Sequence, residues 1–444
     1  MIGLSNDEMI FMNTYDAAPS DVIKTVPGIT PNVATQAAGQ TPASASAFAT
    51  APASAFAAGL PECETIITIY KNDFRYCGYT VAELSKVDLA PFAPLTEREI
   101  VAPGDLLFLD TETTGLSGGP GTVAFMLGVG HFCEAGFIVK QYLMRDYDEE
   151  ESQLGNLTAE MGGRKTLVTY NGKAFDMNLL AGRYIMNGLR MPNSSRHIDL
   201  LHPARRAWRR CIENCRLTTV ENLILGERRA DDIPGSMIPQ VFFDFLETHE
   251  YTAMQQVLSH NRMDILALAA ILKYLSDLAD RVRRGEPYQT ADSAIAGKLS
   301  AGKLADRIAE ELLGVAGFFY KLDEAELAVK CLHASLEREK PSVTRRALFT
   351  LAEIHKRGGE YEKAAQYWKR LLAYSPNIGI YPYVELAKYY EHKARDPQTA
   401  RVYADQALAL ACGPVFRDSR VRLELEARRA RLCRKISRLS MKNA

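Results

Sequence analysis

Hydrophobic residues follow three different rhythms along the chain. Between Asp105 and Tyr274 the runs DLLFLDTET, TVAFMLGVGHF and GFIVKQYLM are short, aliphatic and aromatic, and parted by glycine-rich turns, which predicts three consecutive β-strands. In the same region EEESQLGNLTAEM, DMNLLAGRYIMNG and MQQVLSHNRMDILALAAILKYL carry the helical period. Strands in succession, then helices alternating with strands, imply an α/β domain with a mixed sheet and flanking helices over residues 101–280. Residues 1–60 include an Ala/Ser/Thr/Pro-rich run from Pro31 to Gly59 with no periodicity that would bury a face, and read as a disordered tail. The lead-in at 61–100 holds a β-rich run, ETIITIYKNDFRYCGY, whose structure the pattern leaves open, and 281–304 reads as a linker.

From 305 the pattern is wholly helical and repeats. Ala316, Ala352 and Ala387 recur at spacings of 36 and 35 residues, and Ala328, Ala364 and Ala400 at 36 and 36. Each set marks a helix, a polar turn and a second helix. These units resemble tetratricopeptide repeats, whose period is ~34 residues with small side chains where paired helices touch. Three repeats over 305–412 and a basic capping helix over 413–444 would stack as a short solenoid, and the resemblance implies a protein partner there.

The composition is that of a globular chain. With 444 residues and 47% hydrophobic side chains it is long enough for several domains. The formal net charge is -1, so any contact with nucleic acid must come from local patches. Eight cysteines are scattered, and Cys211 and Cys215, four apart, lack the further ligands of a zinc tetrahedron, so they read as free thiols. The first residues lack a basic segment followed by an apolar one, and no apolar run reaches membrane length. A cytoplasmic protein is expected.

The candidate chemistry is carboxylic. The apolar strand Leu106 to Leu109 runs into Asp110-Thr111-Glu112, and the strand period of two sets Asp110 and Glu112 on one face. Two carboxylates beside a buried sheet are costly unless a cation neutralises them, and hard oxygen donors suit Mg²⁺ or Mn²⁺. In NGKAFD, Asp176 opens a helix after a strand and an Asn171-Gly172 turn, where an N-cap role would serve as well. In HNRMD, His260 and Asp264 share one helix face at i,i+4, a spacing that surface pairs also use. GLSGGPGT lacks the Gly-Lys-Ser/Thr ending of a phosphate-binding loop.

Taken in order, DTETTGL, NGKAFD and HNRMD resemble the three motifs of the DEDD 3′–5′ exonuclease superfamily, which has a ribonuclease H-like fold. The longer strings LLFLDTETTGLSGGPGTVAFMLGVGHF, HIDLLHPARRAW and CRLTTVENLILGERRADDIPG resemble a bacterial branch of such domains, some joined to tetratricopeptide repeats. The resemblance implies that Asp110, Glu112, Asp176 and Asp264 hold two divalent metal ions (Mg²⁺ or Mn²⁺). In that superfamily the remaining partner is a Tyr four residues, or a His five residues, before the last Asp. Here His260 stands four before it and Ser259 five before, so a histidine occupies the tyrosine-type position, where it is expected to act as general base or water-orienter.

Substrate contacts are expected from Thr111, Thr113, Gly115, Leu116 and Asn171, and from Arg206 and Arg210 in an arginine stripe with Arg205 and Arg209, close to Trp208 and to Arg228 and Arg229. A solvated amphipathic face accounts for the arginines equally well. The expected activity is metal-dependent 3′–5′ hydrolysis of single-stranded DNA or RNA ends. The alternatives are an inactive nuclease-like scaffold that binds peptides through its repeats, and a ribonuclease H-type endonuclease.

Overall fold

A computed structural model describes residues 61–89, 102–115, 121–194, 196–286, 301–338, 340–376, 378–412 and 419–443. The tail expected over 1–60 lies outside the described residues, as does Leu116. The first described element, β1 (Glu64–Lys71), precedes a small hairpin, β2 (Arg75–Tyr76) and β3 (Tyr79–Thr80), and a short helix α1 (Val81–Leu84). A capping box at Thr80 and Glu83 starts α1. The three strands of the apolar pattern follow as β4 (Leu106–Thr113), β5 (Ala124–Cys133) and β6 (Gly136–Leu143). Then come α2 (Glu150–Gly162), β7 (Thr166–Thr169), α3 (Asp176–Met186), β8 (Arg196–Asp199) and α4 (Leu201–Trp208). A short α5 (Leu217–Val220) runs into one π turn at Glu221–Leu225, and two longer helices, α6 (Ile238–Thr248) and α7 (Tyr251–Arg284), complete the region.

One mixed sheet has the order β1-β6-β5-β4-β7-β8. β4, β5 and β6 follow one another in the chain and pair antiparallel, whereas β7 and β8 each follow a crossover helix and pair parallel. The β-rich lead-in becomes β1, an antiparallel edge strand on β6 running from Glu64 opposite Leu143 to Lys71 opposite Gly136.

Strand alternation divides the core. Leu107, Leu109, Leu127 and Val129 face Leu154, Leu157 and Met161 of α2 and Leu180 and Tyr184 of α3. On the other side Phe125 and Met126 pack with Phe242 and Phe245 of α6 and Met254 and Val257 of α7, and Phe125 and Phe242 stack at 4.1 Å between centroids. Glycine decides how closely α7 crosses β5: a Cβ at Gly128 would lie 2.0 Å from Asn261 Oδ1, and one at Gly130 2.4 Å from Ile265 Cγ2.

The remainder is helical: α8 (Ala301–Lys321), α9 (Ala325–Leu336), α10 (Pro341–Arg357), α11 (Tyr361–Tyr374), α12 (Tyr381–His392), α13 (Pro397–Ala411) and α14 (Ser419–Asn443). The segment read as a 281–304 linker is thus helical at both ends, since α7 runs to Arg284 and α8 begins at Ala301; residues 287–300 lie outside the described ones. The periodic alanines 316, 328, 352, 364, 387 and 400 are all buried. Two compact units emerge, residues 45–344 and the helices from Arg345 on. The first includes α8, whose Gly314 meets the Arg206 and Ala207 carbonyls of α4, and whose Glu311 accepts hydrogen bonds from Trp208 Nε1 at 2.7 Å and the Tyr274 hydroxyl at 3.1 Å.

Candidate metal centre

Four carboxylates from three elements converge at one end of the central strands. Asp110 and Glu112 leave the last turns of β4 on the face toward α7, opposite Gly128 and Met126 of β5, with a bulge after Glu112. Asp176 enters from the start of α3, and His260 and Asp264 from the middle of α7. The Asn171-Gly172 turn that aims α3 is held by the end of a neighbouring strand. Asn171 takes a left-handed φ of 66°, and the Asp199 carboxylate at the end of β8 accepts from the backbone N–H groups of Asn171 at 2.7 Å and Lys173 at 3.1 Å.

Each acid has one oxygen held by a neighbour. Asn261 Nδ2 donates to Asp110 Oδ2 at 3.0 Å, the Thr111 hydroxyl to Asp176 Oδ1 at 2.5 Å, and Arg229 Nη2 to Asp264 Oδ1 at 2.5 Å. Glu112 is the exception: its Oε1 is buried and has no hydrogen-bond partner among the described residues. Glu112, His260 and Asp264 can place one ligand atom each within 4.8 Å of one another.

The electrostatics are those of a crowded, dry cluster of acids. Burial, then the charges of Asp264, Glu112 and Asp176, push Asp110 well above the usual carboxylate range. Burial with Asp264 and Asp176 does the same to Glu112. Burial pushes Asp176 up to about 6, against the lowering pull of the Thr111 hydroxyl. An orphaned buried carboxylate oxygen amid mutually repelling acids is the setting a divalent cation neutralises, and this donor set fits one.

A loop unnoticed in the sequence surrounds the histidine. After the left-handed Gly226, Arg229 is buried between Glu221 and Asp264, its Nε bonding Glu221 Oε2 at 2.8 Å, while Tyr76 of the β2–β3 hairpin also donates to Glu221. Asp232 bonds His260 Nδ1 at 2.7 Å, and His260 Nε2 lies 3.5 Å from Asp264 Oδ2. Asn261, fully buried, joins Asp110 to Gln141, whose Nε2 donates to Asn261 Oδ1 at 3.0 Å. A pattern signal existed for Asn261 alone, a polar residue on the apolar stripe of a helix. Arg229, Asp232 and Asp199 reach their partners only through tertiary structure.

The structure therefore brings Asp110, Glu112, Asp176, His260 and Asp264 together. Thr111 joins them through Asp176, whereas the Thr113 hydroxyl is turned to the Gly115 carbonyl at 2.9 Å. Arg206, half-buried on α4, and Arg210, exposed in the turn just after that helix, lie outside this interacting group. Two neighbours of the expected basic surface are corrected. Trp208 is fully buried with its indole N–H on Glu311, so no base can stack on it, and Arg229 is an internal ion-pair partner that cannot present itself to a phosphate backbone. Among the described residues no helix is long and apolar enough to cross a membrane.

Comparison with known proteins agrees with this geometry. A family model described as RNase_H superfamily matches residues 107–276, which contain all four acids and His260. The uncharacterized protein YprB of Bacillus subtilis (strain 168) is 32% identical over 375 residues, covering 83% of this chain and 85% of that protein. The family B DNA polymerase of the hyperthermophilic archaeon Pyrobaculum calidifontis matches at 16% identity and a TM-score of 0.32, over 51% of this chain and 30% of that one, a likeness too slight to bear on fold or function. A mixed sheet ending in clustered carboxylates, within a match along most of both sequences, leads to one conclusion: the chain belongs to the family of Bacillus subtilis YprB and carries an RNase H-like nuclease superfamily domain.

Proposed function

We propose that the protein is a metal-dependent 3′–5′ exonuclease acting on single-stranded DNA or RNA ends, with two divalent cations, Mg²⁺ or Mn²⁺, held by Asp110, Glu112, Asp176 and Asp264. The observation that carries this reading is the unpartnered, buried Glu112 Oε1 among three further acids of which each has one oxygen already held. Such ions, when bound by these carboxylates, would supply a charge that activates a water and stabilises the attacking and leaving oxygens of a phosphodiester displacement. The chain's own contribution is orientation. Asn261 holds Asp110, Thr111 holds Asp176 and Arg229 holds Asp264, each by one oxygen, which fixes the carboxylate and leaves its second oxygen for a cation. His260 belongs to the catalytic set at the same centre. Gly115, Leu116, Asn171, Arg206 on α4 and Arg210 just beyond it are proposed to contact the substrate strand, and the tetratricopeptide-like helical pairs a protein partner.

The test is incubation of 5′-labelled single-stranded DNA and RNA with the purified protein and its Asp110→Asn variant in Mg²⁺, Mn²⁺ or EDTA. A metal-dependent ladder shortening from the 3′ end, absent from the variant, is expected. No cleavage under any of these conditions overturns the reading. Cutting of a circular substrate would make the enzyme an endonuclease.

A further inference from the structure

The histidine of the centre has surroundings that its sequence motif does not foretell. His260 is 91% buried and sits between two carboxylates, Asp232 behind it at Nδ1 (2.7 Å) and Asp264 ahead of it at Nε2 (3.5 Å). A carboxylate on Nδ1 holds the hydrogen on that nitrogen, fixes the ring, and leaves Nε2 with its lone pair forward. Nε2 has Asp264 Oδ2 3.5 Å away, and one ring nitrogen of His260, one carboxylate oxygen of Asp264 and one of Glu112 lie within 4.8 Å of one another. Asp264 Oδ1 is engaged by Arg229, so its Oδ2 is the oxygen turned to this space. Glu112 keeps only 8% of its surface exposed, and its Oε1 has no hydrogen-bond partner among the described residues.

A proton acceptor for an incoming water needs its nitrogen on the open, substrate side of the centre. A nitrogen enclosed between two acids, backed by a third group that locks its tautomer, has the arrangement of a ligand. We infer that His260 Nε2 is a direct metal ligand, with Glu112 and Asp264, and that Asp232 is the positioning residue that makes it one. One ion position is then a mixed nitrogen and oxygen site. Imidazole favours transition ions over Mg²⁺, which takes oxygen donors, so this position should select Mn²⁺ and its heavier neighbours. Arg229, packed against Asp264 and 3.5 Å from Asp232, ties the positioning carboxylate and the ligand carboxylate to one guanidinium.

The inference rests on the metal-centre part of the proposed function and not on cleavage, and its test needs no nucleic acid. Full-length protein is titrated with MnCl₂ and examined by pulsed electron paramagnetic resonance for ¹⁴N coupling to the bound ion, and MgCl₂ is then used as competitor. Expected are a ¹⁴N coupling in the wild type that disappears in His260→Ala, and Mn²⁺ binding weakened about tenfold or more by Asp232→Asn with Mg²⁺ binding nearly unchanged. Bound Mn²⁺ without ¹⁴N coupling, equal loss of both ions in Asp232→Asn, or no Mn²⁺ binding at all overturns the inference. The wild-type spectrum decides even if His260→Ala fails to fold. A protein with the nitrogen ligand that cuts no nucleic acid would keep this inference and sink the nuclease reading; cleavage by a protein whose ion has no nitrogen neighbour would do the reverse.

Discussion

At Gly128 and Asn261 the sheet, the long helix and the acidic cluster meet in two residues. Only a hydrogen at position 128 lets α7 approach closely enough for Asn261 to reach Asp110, because a Cβ there would stand 2.0 Å from the amide oxygen. Gly128→Ala is expected to cost about 1–3 kcal/mol by overpacking and to lower cleavage as Asp110 turns, measured by denaturant unfolding beside a nuclease assay. Asp110→Asn should act oppositely on stability. It is expected to abolish the proposed cleavage, yet it relieves a buried, mutually repelling set of acids while keeping an acceptor for Asn261, so the metal-free melting midpoint should rise on the order of a few degrees. A lower midpoint would mean that repulsion is not what dominates Asp110. That Asp110 shares a face with Glu112, and His260 with Asp264, was legible because strand period two and helix spacing four are local rules. Asp232 and Arg229 were not, since their partners lie 28 and 35 residues away and are met only when the loop after Gly226 folds back on α7.

Among the elements, the basic final helix shows where its charges go. Glu391, on α12, accepts from Arg428 at 2.6 Å, Arg431 at 2.8 Å and Lys435 at 2.9 Å, all on α14. Hydrogen bonds from Arg431 and then Lys435 hold the Glu391 carboxyl down to about 2, far below its ordinary 4.5. A lowered carboxylate stabilises the folded state above its unfolded value, so the docking of α14 should be at full strength above about pH 4.5 and fade as pH falls toward 2. Glu391→Gln should remove about 1.5–3 kcal/mol of this docking at neutral pH and speed amide exchange in α14 before the other helices. Unchanged exchange would mean that the apolar contacts of Leu425 and Leu432 suffice. The sequence reading of this helix as a basic cap captured its composition, but the single glutamate that gathers three of its cations sits almost forty residues earlier and carried no local mark.

For the whole molecule, composition and packing draw the first boundary in different places. The polar stretch before α8 looks like a joint, whereas the compact unit extends to Thr344 because α8 closes over α4 through Trp208, Glu311 and Gly314. Helical periodicity assigned α8 to the repeats, and no pattern of period reveals which neighbour a helix buries. Residues 61–344 contain Trp208 and not Trp368, so tryptophan emission reports this contact alone. The 61–344 fragment should fold with the blue-shifted emission of a buried indole, and the 61–286 fragment should show red-shifted emission and aggregate. Native-like emission from the shorter fragment would show that α8 is dispensable.

The seam at Trp208 also bears on how such a chain is inherited. A recombination break in the linker-like stretch near 290 would look harmless in a gene, yet it would carry off the helix that shields an indole of the RNase H-like region and a buried glutamate bonded to it. Lineages that exchange or lose the helical array should therefore keep α8, so the transferable module is the sheet together with the first of the helices that look like repeats.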